Sequence, residues 1–386
     1  MFSLRTSRDA SLNPLALAHD RVRASGRRVL DLTAGNPTRA NIPYDAAAIL
    51  KALADPRSLV YSPDPLGMPS AREAVARDLA TDGVNVGPSR IMLTASTSEA
   101  YGFLFKLLCD PGDEVLVPQP SYPLFELLAA FEGVKLVPYH LAYDGKWHVD
   151  LDSLARAVTP RTRAVFVVSP NNPTGSYLKR AELAAMIDLG LPIVSDEVFA
   201  RYPLSTDVDP DRVTTVLEAD APLLFALGGL SKSAALPQMK LAWTALRGEE
   251  ARVAAALARL ELLGDSFLSA GTPVQYALPA LLSSGAIARD AIRARTRKNL
   301  ETLRTRIDAH SPVSLLDVEG GWYATLRVPR TLTEEAWAIE LLEKDGVYVH
   351  PGQFFGFPSE AFLIVSLLTE EADLREGIDR IVARVR

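Results

Sequence analysis

The chain has 386 residues, of which 48% are hydrophobic and 23% are charged, and its formal net charge is −6. This composition is typical of a soluble globular protein with a substantial core, and the length predicts two subdomains. A mildly acidic balance without blocks of lysine and arginine argues against nucleic acid or an anionic membrane as a partner. Met1–Asp20 lacks the continuous apolar segment of a signal peptide, and no run approaches the roughly 20 apolar residues of a membrane helix. A cytoplasmic protein is therefore expected, in which the single cysteine, Cys109, is a buried structural thiol.

The first ninety residues contain predicted turns and short elements. Val29–Leu32 is a predicted strand that ends in the turn Ala34–Thr38, and the turn-rich segment Tyr61–Gly67 precedes an amphipathic helix from Ser70 to Ala80. From about residue 90, strands alternate with helices. The predicted strands are Ile91–Thr94, Glu114–Val117, Lys135–Val137, Ala164–Val168, Pro192–Ser195, Leu223–Leu227 and Leu241–Leu246. Apolar strands without period-two alternation, joined by helices, predict an α/β fold with a mostly parallel sheet covered on both faces.

The end of the chain has a different pattern. A long helical region, roughly residues 249–310, precedes an α+β part with predicted strands near Trp322–Arg327 and Phe362–Leu368. We expect this part to pack on the first forty-five residues. The sequence therefore predicts a large domain over residues 46–284 and a discontinuous small domain built from residues 1–45 and 285–386.

One lysine follows a buried strand. The apolar run Leu223–Leu227 leads into Gly228-Gly229 and then into Ser231-Lys232. A lysine held in apolar surroundings loses its charge more readily than a solvated one, so it can form an imine with a carbonyl compound. A lone Ser-Lys pair is more often a solvated loop, so this interpretation depends on the residues that precede it.

Polar residues follow several other predicted strands, where ligands of open α/β sheets bind. Ser96, Thr97 and Ser98 lie between a strand and a helix, where backbone amides suit a phosphate, although ordinary helix capping explains them equally well. Tyr122 comes after the next strand and could stack on a planar ligand, with a core or surface position as the alternative.

Two further polar residues complete this set. Asn172 lies in the rigid loop Ser169–Gly175 and offers an amide to a ligand, although turn formation also explains an asparagine there. Asp196 ends an apolar strand, where a buried carboxylate needs a cationic or hydrogen-bonding partner such as a protonated ring nitrogen. A helix cap is the alternative for Asp196.

Together these segments resemble the class I/II aminotransferases of the fold-type I pyridoxal-phosphate (PLP) enzymes, over nearly the whole chain. The most specific parts are Asn171–Gly175, Ser195–Val198 and Ser231-Lys232 with the basic residue Lys240 eight positions after Lys232. The resemblance implies the PLP-dependent transferase fold and a homodimer with shared sites. It also implies transfer of an amino group from a small-molecule amino donor to a keto acceptor, through a pyridoxamine intermediate.

The resemblance also implies a role for each matching residue. Lys232 would form the Schiff base with PLP and shuttle the substrate proton, while Asp196 would pair with the pyridinium nitrogen. Tyr122 would stack on the ring, and Asn172 would hydrogen-bond its 3-oxygen. Tyr61 would reach the phosphate bound in the neighbouring subunit. The phosphate would otherwise be held by Ser96, Thr97, Ser98, Ser231 and Lys240. No metal is implied.

Two positions of the cofactor site depart from the family pattern. Phe199 stands where a tyrosine usually donates to the cofactor's 3-oxygen, so we predict that the pKa of the Schiff base is raised. Lys240 replaces the usual phosphate-binding arginine, which keeps the charge and loses the bidentate fork.

The third departure concerns the substrate, whose carboxylate would lie near Gly35 and Asn36. Ile364 stands where an arginine normally clamps that carboxylate, and a desolvated carboxylate without a cation would bind poorly. Either Arg39 or Arg327 replaces the missing cation, or the substrate lacks a carboxylate at that point.

Transamination is the leading interpretation of these residues, and two alternatives stay open. The first alternative is a PLP-dependent lyase, decarboxylase or cyclising enzyme acting on an amino acid, because the bond that breaks depends on how the substrate is oriented. A non-catalytic PLP-binding protein is a third possibility. It is disfavoured because the chain has no spare length for a DNA-binding domain.

Overall fold

The central element of the fold is a sheet of eight strands, seen in a computed structural model that describes residues 3–6, 13–207, 209–308, 310–359 and 361–386. Strands of the described chain, in order, are β1 (Leu30–Asp31), β2 (Ile91–Thr94), β3 (Glu114–Gln119), β4 (Lys135–Tyr143), β5 (Trp147–Val149), β6 (Thr162–Val168), β7 (Ile193–Asp196), β8 (Leu223–Gly229), β9 (Ala242–Gly248), β10 (Ser314–Leu315), β11 (Tyr323–Arg327), β12 (Val347–Tyr348), β13 (His350–Pro351) and β14 (Phe362–Ser366).

The helices begin and end at residues suited to those positions. Asn13 caps the first helix through a hydrogen bond from the Ala16 backbone, and Gly133 ends the fifth in the left-handed conformation. The α-helices of the described residues are α1 (Pro14–Ala24), α2 (Ala46–Leu53), α3 (Pro69–Ala80), α4 (Thr97–Leu108), α5 (Leu124–Glu132), α6 (Leu151–Ala157), α7 (Arg180–Ile187), α8 (Leu230–Ser233), α9 (Glu250–Phe267), α10 (Thr272–Arg306), α11 (Glu334–Glu340) and α12 (Glu371–Val385).

The large sheet has the strand order β2-β9-β8-β7-β6-β3-β4-β5. Strands β8, β7, β6, β3 and β4 run parallel, which confirms the prediction of a mostly parallel sheet. Strand β9 is antiparallel to both of its neighbours, and β5 is antiparallel to β4. Strand direction could not be predicted for β9, because a strand buried on both faces has the same apolar sequence in either orientation.

Apolar side chains cover both faces of this sheet. On one face, Phe166 of β6 packs on Phe105 of α4 with ring centroids 5.2 Å apart. On the other face, fully buried leucines of α10 such as Leu278 and Leu281 join the core formed by the alternate strand residues. Successive strand residues point to opposite faces, so both faces of each central strand are apolar.

A second core joins the start of the described chain to its end. Leu30 pairs with Val347 in a short parallel ladder, and Leu15 of α1 shares its core with Ile378 of α12. A four-stranded sheet of order β10-β11-β14-β13 packs on these elements. This contact agrees with the expectation that the last hundred residues pack on the first forty-five. The predicted domain boundary at residues 284 and 285 falls inside α10, which contacts α2 and α3 as well as α12.

Paired residues of β11 and β14 alternate between two environments. Ala324, Val365, Leu326 and Leu363 face the second core. The alternate pairs Tyr323–Ser366, Thr325–Ile364 and Arg327–Phe362 share the opposite face.

Among the helices within the described residues, none is long and apolar enough to cross a membrane.

Candidate active site

Asp196 and Lys232 come from adjacent parallel strands. Asp196 is the last residue of β7 and is paired with Leu227 of β8, and Lys232 lies in the single helical turn that follows β8. Carboxyl ends of parallel strands meet at one edge of a sheet, where ligands of open α/β folds bind. The structure therefore brings together the two side chains that the sequence singled out as reactive.

The Asp196 carboxylate is oriented by two donors. The Tyr101 hydroxyl donates to Oδ2 at 2.8 Å, and the Val198 backbone N–H donates to Oδ1 at 3.1 Å. Burial raises the pKa of Asp196, while these two hydrogen bonds and the nearby Lys232 charge lower it, and the net direction is upward. A cationic partner at this carboxylate would relieve the cost of burying its charge.

The Lys232 amine lies close to two aromatic rings. Its Nζ is 4.6 Å from the ring centroid of Trp322 and 5.2 Å from that of Phe199. Burial lowers the pKa of Lys232 to about 8, although the Asp196 charge acts in the opposite direction. At pH 7 roughly a tenth of such amines are uncharged, so Lys232 can act as a nucleophile and as a base.

The turn that carries Lys232 is held through its main-chain carbonyls. Its sequence Leu230–Ser233 is too short for a self-supporting helix, so its carbonyls need other donors. Three side chains from separate elements supply hydrogen bonds to this turn and its end: Tyr202 to the carbonyl of Lys232, Arg289 to that of Ser233 and Tyr44 to that of Ala235.

Arg289 belongs to a row of arginines on one face of α10. Residues four apart in a helix share a face. Each arginine of the row donates to a main-chain carbonyl near the strand ends: Arg289 to Ser233, Arg293 to Arg201 and Arg297 to Pro203. The helix therefore fixes the backbone on either side of the candidate site.

The N-terminus of α4 presents free backbone donors. Ser96 caps the helix by accepting from the Glu99 backbone at 3.2 Å, and the Glu99 carboxylate accepts from the Ala95 backbone at 2.7 Å. The N–H groups of Thr97 and Ser98 in the first turn have no acceptor within the helix. This end of the helix is suited to bind a phosphate.

The other predicted cofactor residues lie at the same edge or on the surface. Tyr122 is 46% exposed, Ser231 is half-buried, and Lys240 is exposed in a left-handed conformation with φ 51°. Asn172 follows β6, and its buried Oδ1 has no hydrogen-bond partner in the described part of the chain. Tyr61 is 80% exposed, so little of its ring is covered by its own chain.

The side chain of Ile364 is buried by its neighbours. Ile364 is 1% exposed and is flanked by Thr325 of β11 and His350 of β13, whose pKa is lowered by burial. The buried Thr325 hydroxyl has no hydrogen-bond partner among the residues that the structure describes. Packing therefore fills the position at which the sequence comparison expected a substrate-binding arginine.

The predicted substrate residues lie on the loop before α2 and at the end of β11. Gly35 lies so close to the Tyr323 hydroxyl that a Cβ there would be 2.5 Å from it, and the Asn36 side chain accepts from Thr38. Arg39 and Arg327 are both exposed, and neither side chain has an ion-pair or hydrogen-bond partner within the described residues.

Four aromatic residues of the site were missed by sequence reasoning. They are Tyr101, which bonds Asp196, Trp322 beside the Lys232 amine, Tyr202 on the Lys232 carbonyl and Tyr323 against Gly35. Tyr101 and Asp196 are 95 positions apart, and no local pattern distinguishes such a tyrosine from a core residue. The strand position of Tyr323 beside the predicted Ile364 strand was the one usable signal.

The buried carboxyl group of Glu197 should make the free energy of unfolding depend on pH. Burial raises its pKa from 4.5 to about 7, although its Oε1 accepts from the Val216 backbone. The folded chain therefore binds this proton more tightly than the unfolded chain, and the associated stability is lost as pH rises from 4.5 through 7. We expect a Glu197→Gln variant to lack this loss, which amounts to about 3 kcal/mol. Urea unfolding of both proteins at pH 5 and pH 8 measures it, and equal pH slopes would contradict the assignment.

The single cysteine, Cys109, does not have the features of a reactive thiol. The half-buried Cys109 thiol has its pKa raised by burial to about 12, in keeping with a structural thiol. Among the described residues there is no group of three or more His, Cys, Asp or Glu side chains that could hold a metal ion.

The site has the donor set that a PLP molecule needs. Among the described residues Asp196 has no ion-pair partner and only the nearby charge of Lys232 acts on it, and the first turn of α4 offers N–H groups to a phosphate. Exposed Lys240 supplies a positive charge. A planar phosphorylated ring with one protonated nitrogen satisfies these groups together.

Solved structures with a similar fold include aminotransferases. An alanine aminotransferase from Pyrococcus furiosus superposes with a TM-score of 0.88 at 24% sequence identity, covering 100% of this chain and 99% of that chain. A double mutant of Thermus thermophilus aspartate aminotransferase gives a TM-score of 0.84 at 25% identity and covers 100% of both chains. The fold class predicted from the sequence is confirmed.

The family model for aminotransferase class I and II matches residues 27–381. The chain belongs to this family of PLP-dependent enzymes and is an aminotransferase. Its relatives include an alanine aminotransferase of Mycobacterium tuberculosis, 27% identical over 378 residues that cover 94% of this chain and 86% of the relative. The aspartate/prephenate aminotransferase of Thermus thermophilus is 28% identical over 397 residues, covering 98% of this chain and 96% of the relative.

Proposed function

We propose that this aminotransferase uses Lys232 as its catalytic lysine and Asp196 as the partner of the cofactor's ring nitrogen. The observation that carries the proposal is the placement of the two residues at the ends of adjacent parallel strands, where burial lowers the pKa of Lys232 to about 8. When bound, PLP supplies an electron sink for the charge that develops on the substrate. The uncharged Lys232 Nζ takes the proton from the substrate Cα and later releases it.

Asp196 keeps a proton on the ring nitrogen because its own charge is buried and needs a cation. Tyr101 and Val198 hold both carboxylate oxygens in place, so the carboxylate reaches the ligand without reorganisation. Trp322 and Phe199 cover the Lys232 amine and limit the access of water. The protein thereby orients the reacting groups and tunes their charge.

The rest of the cofactor site follows the same edge of the sheet. In the proposal Tyr122 stacks on the ring, and Asn172 bonds its 3-oxygen. Five residues hold the phosphate: Ser96, Thr97 and Ser98 at the start of α4, with Ser231 and Lys240 beside the Lys232 turn. The free first-turn N–H groups of α4 support the phosphate part of this arrangement.

The proposal includes a cytoplasmic homodimer with shared sites. Tyr61 belongs to an exposed apolar segment in which Leu59 is 88% and Val60 is 65% exposed. Leu262 and Phe267 of α9 are also exposed. Exposed large apolar residues of this kind support an interface with a second copy of the chain, across which Tyr61 reaches the phosphate. We also retain the domain division into residues 46–284 and residues 1–45 with 285–386.

The proposed substrates are a small α-amino acid donor and a keto acid acceptor, as the names of the alanine and aspartate/prephenate relatives suggest. Ile364 cannot bind their carboxylate. We propose Arg39 for this role, because its side chain has no partner among the described residues and the nearby residues Ala40 and Ile42 pack in one cluster with Phe199. Arg327 is less suitable, because it lies about 13 Å along β11 from Tyr323.

A half-reaction tests the proposed function. Holoenzyme is mixed with a panel of α-amino acids and simple amines without any keto acid. Conversion of the lysine-bound cofactor to its aminated form, with one keto product per site, is the expected result. Retention of the lysine-bound spectrum with release of ammonia or carbon dioxide would contradict amino transfer. A response to amines alone would contradict the proposed α-amino acid donor.

Replacing Arg39 with glutamine is expected to raise KM for the amino acid and keto acid at least tenfold. A charged hydrogen bond to a carboxylate contributes about 1.5–3 kcal/mol, which corresponds to roughly tenfold or more. Arg327→Gln is the matched control and is expected to change KM less than twofold. Steady-state kinetics with both variants measures the difference, and the reverse order would assign the carboxylate to Arg327.

A Phe199→Tyr variant is expected to lower the pKa that is read from the visible spectrum of the holoenzyme. The added hydroxyl would donate to the cofactor's 3-oxygen and stabilise its anionic form. Phe199 is buried against Trp322, with ring centroids 5.2 Å apart, so the ring itself should keep its place. Spectra recorded across pH give the value, and a higher pKa in the variant would contradict the prediction.

A further inference from the structure

A cavity of about 260 Å³ lies on the face of the large sheet opposite to Asp196. Glu197, the first residue after β7, lines this cavity, while the Asp196 carboxylate accepts from Tyr101 on the other side. Strands β8 and β9, helix α3 and the segment after β7 surround it. Val198, whose backbone N–H orients Asp196, also lines the cavity, but none of the residues proposed to contact cofactor or substrate is among its described lining residues.

One wall of the cavity carries a cation without a counter-charge. Arg201, which also lines it, is neutralised by Asp78 and Asp82. Arg212 has no carboxylate within ion-pair distance in the described part of the chain. Its guanidinium is 3.5 Å from the ring centroid of Tyr177 and its Nη2 donates to a main-chain carbonyl at 3.3 Å. The buried Nε–H of Arg212 has no acceptor among the described residues.

These contacts make Arg212 a pre-positioned anion ligand. Stacking on Tyr177 fixes the plane of the guanidinium, so little side-chain entropy remains to be lost on binding. A buried donor without an acceptor is unfavourable, and a carboxylate placed there would satisfy it. The one lining carboxyl group that is free of an ion pair, Glu197, has its pKa raised to about 7 and therefore repels an anion weakly.

The rest of the lining is largely apolar. It includes Leu79, Val84, Leu217, Ala226, Trp243 and Ala245. An apolar cavity of about 150 Å³ is large enough to hold benzene. The volume here has room for a ring or a branched chain together with a carboxylate group.

We propose that this cavity is a second binding site, which takes a small organic acid with its carboxylate on Arg212 and its apolar body against Trp243. The site does not depend on the assignment of Lys232 as the catalytic residue. Gly229 and Ser233, which lie on either side of Lys232 in the chain, also line the cavity. A bound acid would contact the backbone that carries Lys232 without occupying the cofactor site, so its effect on turnover is not competitive with the amino donor.

Calorimetric titration of the holoenzyme with 3-phenylpropanoate tests the site, with 3-phenylpropanamide as the uncharged control. We expect saturable binding of the acid and at least tenfold weaker binding of the amide. Arg212→Met should weaken acid binding at least tenfold, and Arg212→Lys should give an intermediate value because it keeps the charge and loses the fork. Ala245→Leu should also weaken binding by filling the apolar end, and it leaves Arg212 intact.

Three results would overturn the proposal. The first is absence of saturable acid binding by the parent enzyme. The second is unchanged affinity in both Arg212→Met and Ala245→Leu, each shown to be folded by circular dichroism. The third is competition between 3-phenylpropanoate and the amino donor in steady-state kinetics, which would place the acid in the catalytic site.

Discussion

Replacing Lys232 with alanine is expected to lower kcat for amino transfer by about a thousandfold or more. The variant loses both the nucleophile that holds the cofactor and the base that moves the substrate proton, and general acid–base catalysis alone contributes 10²–10⁴-fold. Turnover assays and borohydride reduction followed by peptide mass mapping measure the two losses separately. The parent should carry the reduced cofactor on the peptide that contains Lys232.

Control variants distinguish the effect of an uncharged amine at position 232 from the effect of a positive charge there. Lys232→Arg keeps the charge, but a guanidinium cannot act as a base at neutral pH, so this variant should be as inactive as Lys232→Ala. Added methylamine should restore part of the rate to Lys232→Ala and none to Lys232→Arg. Lys298→Ala, at an exposed position of α10, should match the parent. Substantial activity in Lys232→Arg would contradict a role in proton transfer.

Replacing Asp196 with asparagine is expected to lower kcat about a thousandfold and to weaken cofactor retention. The change keeps the shape and removes the buried charge, and loss of one partner of a buried ion pair costs about 4 kcal/mol. Equilibrium dialysis of PLP and turnover assays at saturating PLP measure the two effects. A decrease of less than tenfold at saturating PLP would contradict the assigned partner.

Tyr101→Phe provides a graded comparison with Asp196→Asn. It leaves the carboxylate in place and removes only the 2.8 Å hydrogen bond, so we expect a tenfold to hundredfold decrease in kcat. The Val198 backbone still orients the other oxygen. A Tyr101→Phe variant as impaired as Asp196→Asn would indicate that the hydroxyl itself contacts the reacting groups.

The sequence predicted which of the candidate residues lie at strand ends. Lys232, Asp196 and Asn172 each follow an apolar run, and local chain order is sufficient to place them at one edge of a parallel sheet. Tyr101 and Trp322 could not be predicted, because their contacts with Asp196 and Lys232 depend on packing between distant segments. The second cavity could not be predicted either, since its lining comes from six separate parts of the chain.

Ile364 shows a different limit of sequence reasoning. Its place in β14 was predicted correctly, but the sequence alone could not say whether the missing arginine leaves an open pocket or a filled one. The structure shows that Ile364 is 1% exposed between Thr325 and His350. The proposal therefore assigns the substrate carboxylate to another element, the exposed loop that carries Arg39.

The arginine row of α10 restricts how the length of this helix can change. Each added or deleted residue turns everything that follows by about 100°, because the helix has 3.6 residues per turn. A single insertion between Arg289 and Arg297 would direct one of these side chains away from its carbonyl and would also rotate the half of α10 that packs on α12. Related enzymes that keep these contacts should show a constant residue count across this stretch, with length differences confined to surface loops.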